Sequence, residues 1–365
     1  MKILHIAAGL DAGGVEKLLW EYCSRIQSDD SSVIFDFVTH EKTVGLIEKK
    51  LLASGNKVFY VTPKSENIFR YIREICIIMK NGQYYVVHCH QGYTSFLPML
   101  LAFMFGVKCR IAHTHMAYIS KVSKLRRPFT FLTKLFATEL FACSNEAAKW
   151  TWGANTLDKV IIMKNAINIK LYLYNDDTRR QISKKLGLEG KFVVGNIGRL
   201  LYQKNHKFLI EIFSEIKKLK KNAILLLIGN GDLKSEIKEQ IKVLNLDDSV
   251  IFLESVNDAY NYYNIMDVFV LPSRYEGLGI VNIEAQANGL LCFASEGVIP
   301  KDAKVSELLT FVPLDETAES WAREIISHNN FNHKENMESV INDAGYSIDN
   351  EWIKLKKFYY NAVNK

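Results

Sequence analysis

Residues 266–287 read Met266-Asp267-Val268-Phe269-Val270-Leu271-Pro272-Ser273-Arg274-Tyr275-Glu276-Gly277-Leu278-Gly279-Ile280-Val281-Asn282-Ile283-Glu284-Ala285-Gln286-Ala287. The first part is an apolar, β-branched run ended by proline and serine, the pattern of a buried strand. A glycine-punctuated turn follows, and then a helix-forming run, so the local reading is strand, turn, helix. Glu276 falls on the turn and Glu284 on the helix. In such a unit the turn's N–H groups and the positive end of the helix face one point, which favours an anionic ligand there.

The same alternation repeats along the chain. Apolar runs at Lys2–Ala8, Ser32–Thr39, Lys57–Val61, Tyr85–Cys89, Arg110–His113, Glu139–Cys143 and Lys159–Met163 are separated by helical patterns. After Ile169 the chain turns loop-like and charged, and the alternation restarts at Phe192–Gly198, Ala223–Gly229, Val250–Leu253, Asp267–Leu271 and Leu290–Ser295. Strand alternating with helix implies an α/β fold whose parallel sheets are covered on both faces. The expectation is two doubly wound domains, 1–170 and 171–349, with a closing helix at 350–365 packing back on the first. A length of 365 residues suits two domains. Domains of this kind bind ligands at the carboxyl ends of their strands, so a substrate held across the cleft between them is expected.

Composition excludes several classes. The six cysteines, Cys23, Cys76, Cys89, Cys109, Cys143 and Cys292, are dispersed without a C-x-x-C pair and read as reduced thiols of a cytoplasmic protein. The first residues run into glycines before any signal-peptide core can form, and the longest apolar run, Phe96 to Val107, is well short of the ~20 residues of a membrane helix. Charge is uneven: 22 Lys and Arg against 13 Asp and Glu over 1–170, but 24 against 27 over 171–365. Much of the excess lies in one strip, Lys121, Lys124, Arg126, Arg127 and Lys134, interleaved with apolar residues. It reads as a basic amphipathic surface able to rest on the anionic inner face of the plasma membrane. Nucleic acid is a poorer partner, because the aromatics are spaced for a packed helix rather than a stacking platform.

Several motifs carry chemistry. Gly195-Asn196-Ile197-Gly198-Arg199-Leu200-Leu201-Tyr202-Gln203-Lys204-Asn205 follows a strand and precedes a helix beginning near His206. Arg199 and Lys204 on this loop supply a guanidinium fork and a point charge, the usual grip on a diphosphate whose charge grows as it leaves. Gly229-Asn230-Gly231-Asp232 and Gly13-Gly14 are further strand-to-helix turns that admit close backbone approach. His88-Cys89-His90 and His113-Thr114-His115 end two strands. No Asp, Glu or Cys completes either pair locally and the chain has no D-x-D, so no metal is expected. A histidine at a strand end can instead hydrogen-bond a sugar hydroxyl, and His115 is the favoured one. The set then reads as cations for a diphosphate, Glu284 for vicinal ribose hydroxyls, Glu276 for a sugar and a histidine from the facing domain.

These residues resemble the retaining GT-B glycosyltransferases of family 4, over nearly the whole chain. The E-x7-E segment Glu276–Glu284, the Gly198-Arg199 … Lys204-Asn205 loop, Gly229-Asn230-Gly231-Asp232 and Leu271-Pro272-Ser273 stand in that family's order. The pieces Gly13-Gly14, His88-Cys89-His90, Arg110-Ile111-Ala112-His113-Thr114-His115 and Ala142-Cys143-Ser144 are similar to members that build capsular polysaccharides and exopolysaccharides. The resemblance implies a hexosyltransferase using a nucleotide-diphosphate sugar, a UDP-sugar, and a glycan or lipid-linked acceptor, with retention and without an essential metal or other cofactor. It implies His115, Glu276, Arg199 and Lys204 as catalytic residues. Gly14, Gly198, Gly229, Gly231, Ser255, Val256, Gly277, Leu278, Gly279, Ile280 and Glu284 would join Arg199, Lys204 and Glu276 around the donor, and Gly13, His90, His113 and Ser144 would contact the acceptor. Two departures stand out. Asn165-Ala166-Ile167-Asn168 replaces the usual Asn-Gly-Ile-Asp, and Ser255-Val256 lies where many relatives carry a glycine near the base.

Two rival functions remain: a non-catalytic GT-B subunit that positions a true transferase, and a sugar-nucleotide epimerase of the same fold. A nicotinamide dehydrogenase is disfavoured because no G-x-G-x-x-G opens either domain.

Overall fold

The computed structural model describes residues 1–11, 13–40, 44–116, 126–254, 256, 258–328 and 336–363. Lys121, Lys124 and Ser255 therefore lie outside the described residues. The chain divides into two compact units, Met1–Ile167 with Gly345–Lys365, and Asn168–Ala344.

The first unit is built on seven parallel strands: β1 (Lys2–Ile6), β2 (Ile34–Thr39), β3 (Lys57–Tyr60), β4 (Val86–Cys89), β5 (Cys109–Thr114), β6 (Glu139–Ala142) and β7 (Val160–Ile162). They lie in the order β3-β2-β1-β4-β5-β6-β7. Ile3, Leu4 and Ile6 are all fully buried, as expected for a central strand covered on both faces rather than an alternating one. The second unit has six: β8 (Phe192–Ile197), β9 (Ala223–Ile228), β10 (Val250–Leu253), β11 (Val268–Leu271), β12 (Leu291–Ser295) and β13 (Leu309–Val312), in the order β10-β9-β8-β11-β12-β13. Both are doubly wound, Rossmann-like sheets. The sequence reading missed β13, a four-residue edge strand whose Leu-Thr-Phe-Val is too short to display a period.

In each unit the strand order reverses once, between β1 and β4 and between β8 and β11. Loops leaving neighbouring strands diverge at such a point and open a crevice beyond the carboxyl ends. In the second unit those loops are 198–205 and 272–279, which carry the motifs singled out in the sequence.

The last helix, Ile348–Val363, packs along the Gly14–Asp29 helix and delivers Ile348, Leu355 and Tyr359 into the core formed by Ile3, Leu19, Ile26, Phe35, Phe37, Ile111 and Phe141. Ala166, in the place of a glycine in similar sequences, is buried and is not among the residues of positive φ, so its methyl group is accommodated without backbone strain.

Candidate active site

The centre of the second unit's site is an ion pair. Lys204 Nζ lies 2.5 Å from Glu276 Oε1, and the two side chains are only 15% and 8% exposed. The Ser273 hydroxyl donates to the same oxygen at 2.9 Å, and the Gln203 amide donates to the other at 3.2 Å. Each partner arrives from one of the two loops at the β8/β11 reversal, so topology rather than chain proximity makes the contact. A charge this buried needs its partner, because a lone ion here has lost its water.

Arg199 behaves differently. It is exposed, and its guanidinium has no ion-pair partner among the described residues. The two cations expected to act together are thus one docked on a carboxylate and one standing in solvent.

The backbone beneath them is tight. A Cβ on Gly229 would sit 1.9 Å from the Gly198 carbonyl oxygen, and one on Gly231 would sit 2.6 Å from that of Leu200. With φ of 155° at Gly229 as well, a side chain is excluded twice over. These glycines let the 229–231 turn pack against the loop that carries Arg199. Past β11, Gly277 and Leu278 are buried and lead to Gly279, which opens the Ile280–Ala287 helix with φ of 73° and no side-chain cap. The first N–H groups of that helix are available to an anion, and Lys204 is held by the preceding loop.

Glu284 lies on the same helix but in another environment. It is 2% exposed, and its two oxygens accept from the Tyr172 hydroxyl at 2.9 Å and the Tyr263 hydroxyl at 2.7 Å. Val256 is partly buried. Sequence reading missed Ser273, Gln203, Tyr172 and Tyr263. The first two stand inside the quoted motifs, where they read as turn residues, whereas the tyrosines carry no local signal.

In the first unit the histidines expected singly form a ladder. His5 is in register with His88 and His88 with Ile111, so strand alternation puts His5, His88, His90, His113 and His115 on one face of β1, β4 and β5 and their extensions. His5 Nδ1 meets His90 Nε2 at 3.0 Å, His90 Nδ1 meets His115 Nε2 at 2.9 Å, and His88 Nε2 meets His113 Nδ1 at 3.1 Å. Burial pushes the His115 imidazole down to about 3, so it is neutral at physiological pH. It can donate or accept a hydrogen bond but is not a cationic acid.

Two acceptor assignments need correction. Ser144 is fully buried and its hydroxyl caps the Asn145–Trp152 helix, accepting from the Ala147 N–H at 3.1 Å. His113 is likewise fully buried, within the ladder. Gly13 is partly exposed and His90 is 8% exposed.

The basic strip is also corrected. The Arg126 guanidinium donates to the Trp150 carbonyl and lies 4.9 Å from that ring, and Lys134 donates to the Trp152 carbonyl, so both bind the last carbonyls of the Asn145–Trp152 helix. Arg127 alone of the described three is exposed. Besides Arg127, the Arg126–Phe136 helix offers solvent the apolar Phe131 at 67% and Leu135 at 60%, beside Phe103 and Met104 of the adjoining Phe96–Met104 helix.

Residues 178–340 match the family described as Glycosyl transferases group 1, a span lying inside the second unit. The second unit is a group 1 glycosyltransferase domain. Over more of the chain, the putative glycosyltransferase EpsF of Bacillus subtilis is 29% identical across 334 residues, 89% of this chain and 86% of that one. An Escherichia coli UDP-Gal:alpha-D-GlcNAc-diphosphoundecaprenol alpha-1,3-galactosyltransferase is 28% identical over 60% of this chain and 59% of its own. Among solved structures, Anabaena HepE in complex with UDP and glucose superposes with a TM-score of 0.82 at 18% identity, covering 98% of this chain and 99% of that one. At that identity the likeness establishes the fold, the GT-B pairing of two Rossmann-like domains. The Lys204–Glu276 pair, the 229–231 turn and the Gly279 helix start all belong to the group 1 domain.

Proposed function

We propose that the protein transfers a hexose or N-acetylhexosamine from a UDP-sugar to a glycan or lipid-linked acceptor, with retention, in the assembly of a cell-surface polysaccharide. The observation that carries this reading is the buried Lys204–Glu276 pair at the strand-order reversal of the group 1 domain, one loop away from the uncapped start of the Ile280–Ala287 helix. The helix start and Lys204 receive the distal phosphate, and Arg199, free in solution, folds onto the diphosphate when the donor arrives. Charge building on the departing nucleotide is met by these preorganised donors, so the reaction needs no metal to neutralise it. Glu276 holds Lys204 in place and meets the hydroxyls of the transferred sugar. Glu284 serves the ribose, whose hydroxyls join or replace the two tyrosines. The acceptor is assigned to the first unit, through Gly13, His90 and neutral His115.

HepE, solved with UDP and glucose, supports the choice of base. The E. coli relative, named for a galactose donor and a diphosphoundecaprenol-linked acceptor, supports the lipid-linked class. The deciding experiment is a thermal-shift screen of the full chain over nucleotide sugars, followed by nucleotide release and NMR of the product's anomeric centre. Stabilisation by one UDP-sugar, acceptor-dependent UDP release and an unchanged anomeric configuration are expected. Release without any acceptor but with interconverted donor would replace this reading with the epimerase, and no turnover of any donor would leave the non-catalytic subunit.

The exposed Phe103, Met104, Phe131 and Leu135 favour a membrane-facing role for the first unit by apolar insertion rather than charge. Binding to liposomes should then persist in high salt and fall when Phe131 and Leu135 are replaced by serine. Flotation abolished by salt alone would count against it.

A further inference from the structure

Two hydrogen-bonded files of side chains run through the first unit's sheet and end side by side. The first runs from Cys23 Sγ to His5 Nε2 at 3.7 Å, then through His90 to His115. The second runs from the Tyr359 hydroxyl to His88 Nδ1 at 2.8 Å and on to His113. Every ring nitrogen in the files is engaged except two: His113 Nε2 and His115 Nδ1 are buried with no hydrogen-bond partner among the described residues. Those two rings are neighbours, their centroids 3.9 Å apart, at the carboxyl end of β5.

Proton bookkeeping limits what the two orphans are. Buried imidazoles packed on one another stay neutral, each with one N–H and one lone pair. If the protons point inward, His115 donates to His90, His90 to His5 and His5 to Cys23, while His113 donates to His88 and His88 to Tyr359. Every imidazole N–H then has an acceptor and the two outer ring nitrogens are adjacent lone pairs, at the cost of one Tyr359 O–H without an acceptor among the described residues. If they point outward, two buried N–H groups face each other with nothing to accept them, which is the costlier outcome. The inward arrangement is also the one in which each outer imidazole donates its second nitrogen's proton to a further side chain, the support that orients a metal-bound histidine.

We propose that His113 Nε2 and His115 Nδ1 are a chelating pair for a borderline divalent transition metal such as Zn²⁺. His90, His113 and His115 each offer a ring nitrogen within 4.8 Å of the others. An all-imidazole set suits Zn²⁺, Co²⁺, Ni²⁺ or Cu²⁺ and rejects the oxygen-seeking Mg²⁺ and Ca²⁺. His115 is partly exposed as a residue, although its Nδ1 is buried, so an ion reaches the pair by local movement of that ring. The inference leaves the donor-site reading untouched, since the ladder belongs to the other unit, and an ion on His115 Nδ1 would take the place of the acceptor contact assigned above to that ring.

The test uses the full chain, stripped with chelator and titrated with Zn²⁺ by calorimetry and with Co²⁺ by visible absorption. One ion per chain, a tetrahedral cobalt spectrum and nitrogen hyperfine splitting from bound Cu²⁺ are expected, with no heat from Mg²⁺. His115→Asn, at the exposed end of the ladder, should weaken Zn²⁺ binding by at least about a hundredfold. Tyr359→Phe, which removes the acceptor at the inner end of the second file, should weaken it by about tenfold to a hundredfold. His328→Asn, in the other unit, should leave it unchanged. Circular dichroism melts establish that each variant is folded. No uptake of Zn²⁺ or Co²⁺ by the wild-type chain at sub-millimolar concentration, or wild-type affinity in folded His115→Asn, would overturn the proposal.

Discussion

Lys204 and Arg199 carry like charges on one loop, yet their surroundings separate their roles. Lys204 is fixed by Glu276 before any ligand arrives, whereas Arg199 must be ordered by one. Replacing Lys204 with alanine removes a preorganised donor and should lower kcat by about 10²–10³ with a smaller effect on KM, measured by UDP release. Arg199→Ala should act more evenly on both constants. His206 supplies a pH prediction. It is 1% exposed, neither ring nitrogen has a hydrogen-bond partner among the described residues, and burial, with a smaller contribution from Lys204, lowers it to about 4. Because the folded value lies below the unfolded one of about 6.5, the unfolded chain takes up the proton first. The stability is therefore complete above pH 6.5 and is lost as pH falls towards 4, by on the order of 3 kcal/mol in all. Urea midpoints at pH 7 and pH 4.5 should converge in His206→Leu relative to the wild type. An identical pH slope in the two proteins would refute the assignment.

The 229–231 turn and the loop bearing Arg199 are one packed unit, because the glycines bring their backbones into contact. Gly229→Ala forces a methyl group into the Gly198 carbonyl and should cost at least about 2–3 kcal/mol in urea unfolding. Loss of UDP-sugar stabilisation should accompany it even where the variant stays folded, since the loop must move to admit the methyl group. The Arg126–Phe136 helix teaches the reverse lesson. Its charges read as a surface strip in the sequence, yet Arg126 and Lys134 are used to hold the carbonyls that end a neighbouring helix, and Phe131 and Leu135 of the same helix face solvent.

The chain leaves its first unit at Ile167 and returns to it at Gly345, so the first unit's core is complete only after the last helix is made. Leu355→Ala should accordingly destabilise by about 2–5 kcal/mol and lower the melting transition of the first unit, although the substitution is ten residues from the end of the chain. Differential scanning calorimetry that resolves the two units should show the second transition unmoved by this substitution.

Strand runs, glycine turns and the E-x7-E spacing are local properties, and they were legible because a buried parallel strand is a continuous apolar run and a strand-to-helix turn needs glycine at defined places. They sufficed for the α/β class, for twelve of the thirteen strands among the described residues and for the group 1 domain. The tertiary structure alone decided which charges meet. Lys204 finds Glu276 across 72 residues because β8 and β11 are adjacent in the sheet. The tyrosines on Glu284 come from other elements for the same reason, and Tyr172 is 112 residues away from it. The histidine pairs, which have no further ligand residue nearby in the chain, gather into a ladder because β1, β4 and β5 are neighbours that present the same face. Periodicity records how each segment is buried, but hydrogen-bond and charge partners depend on strand order, which is set by how the segments pack rather than by any one of them.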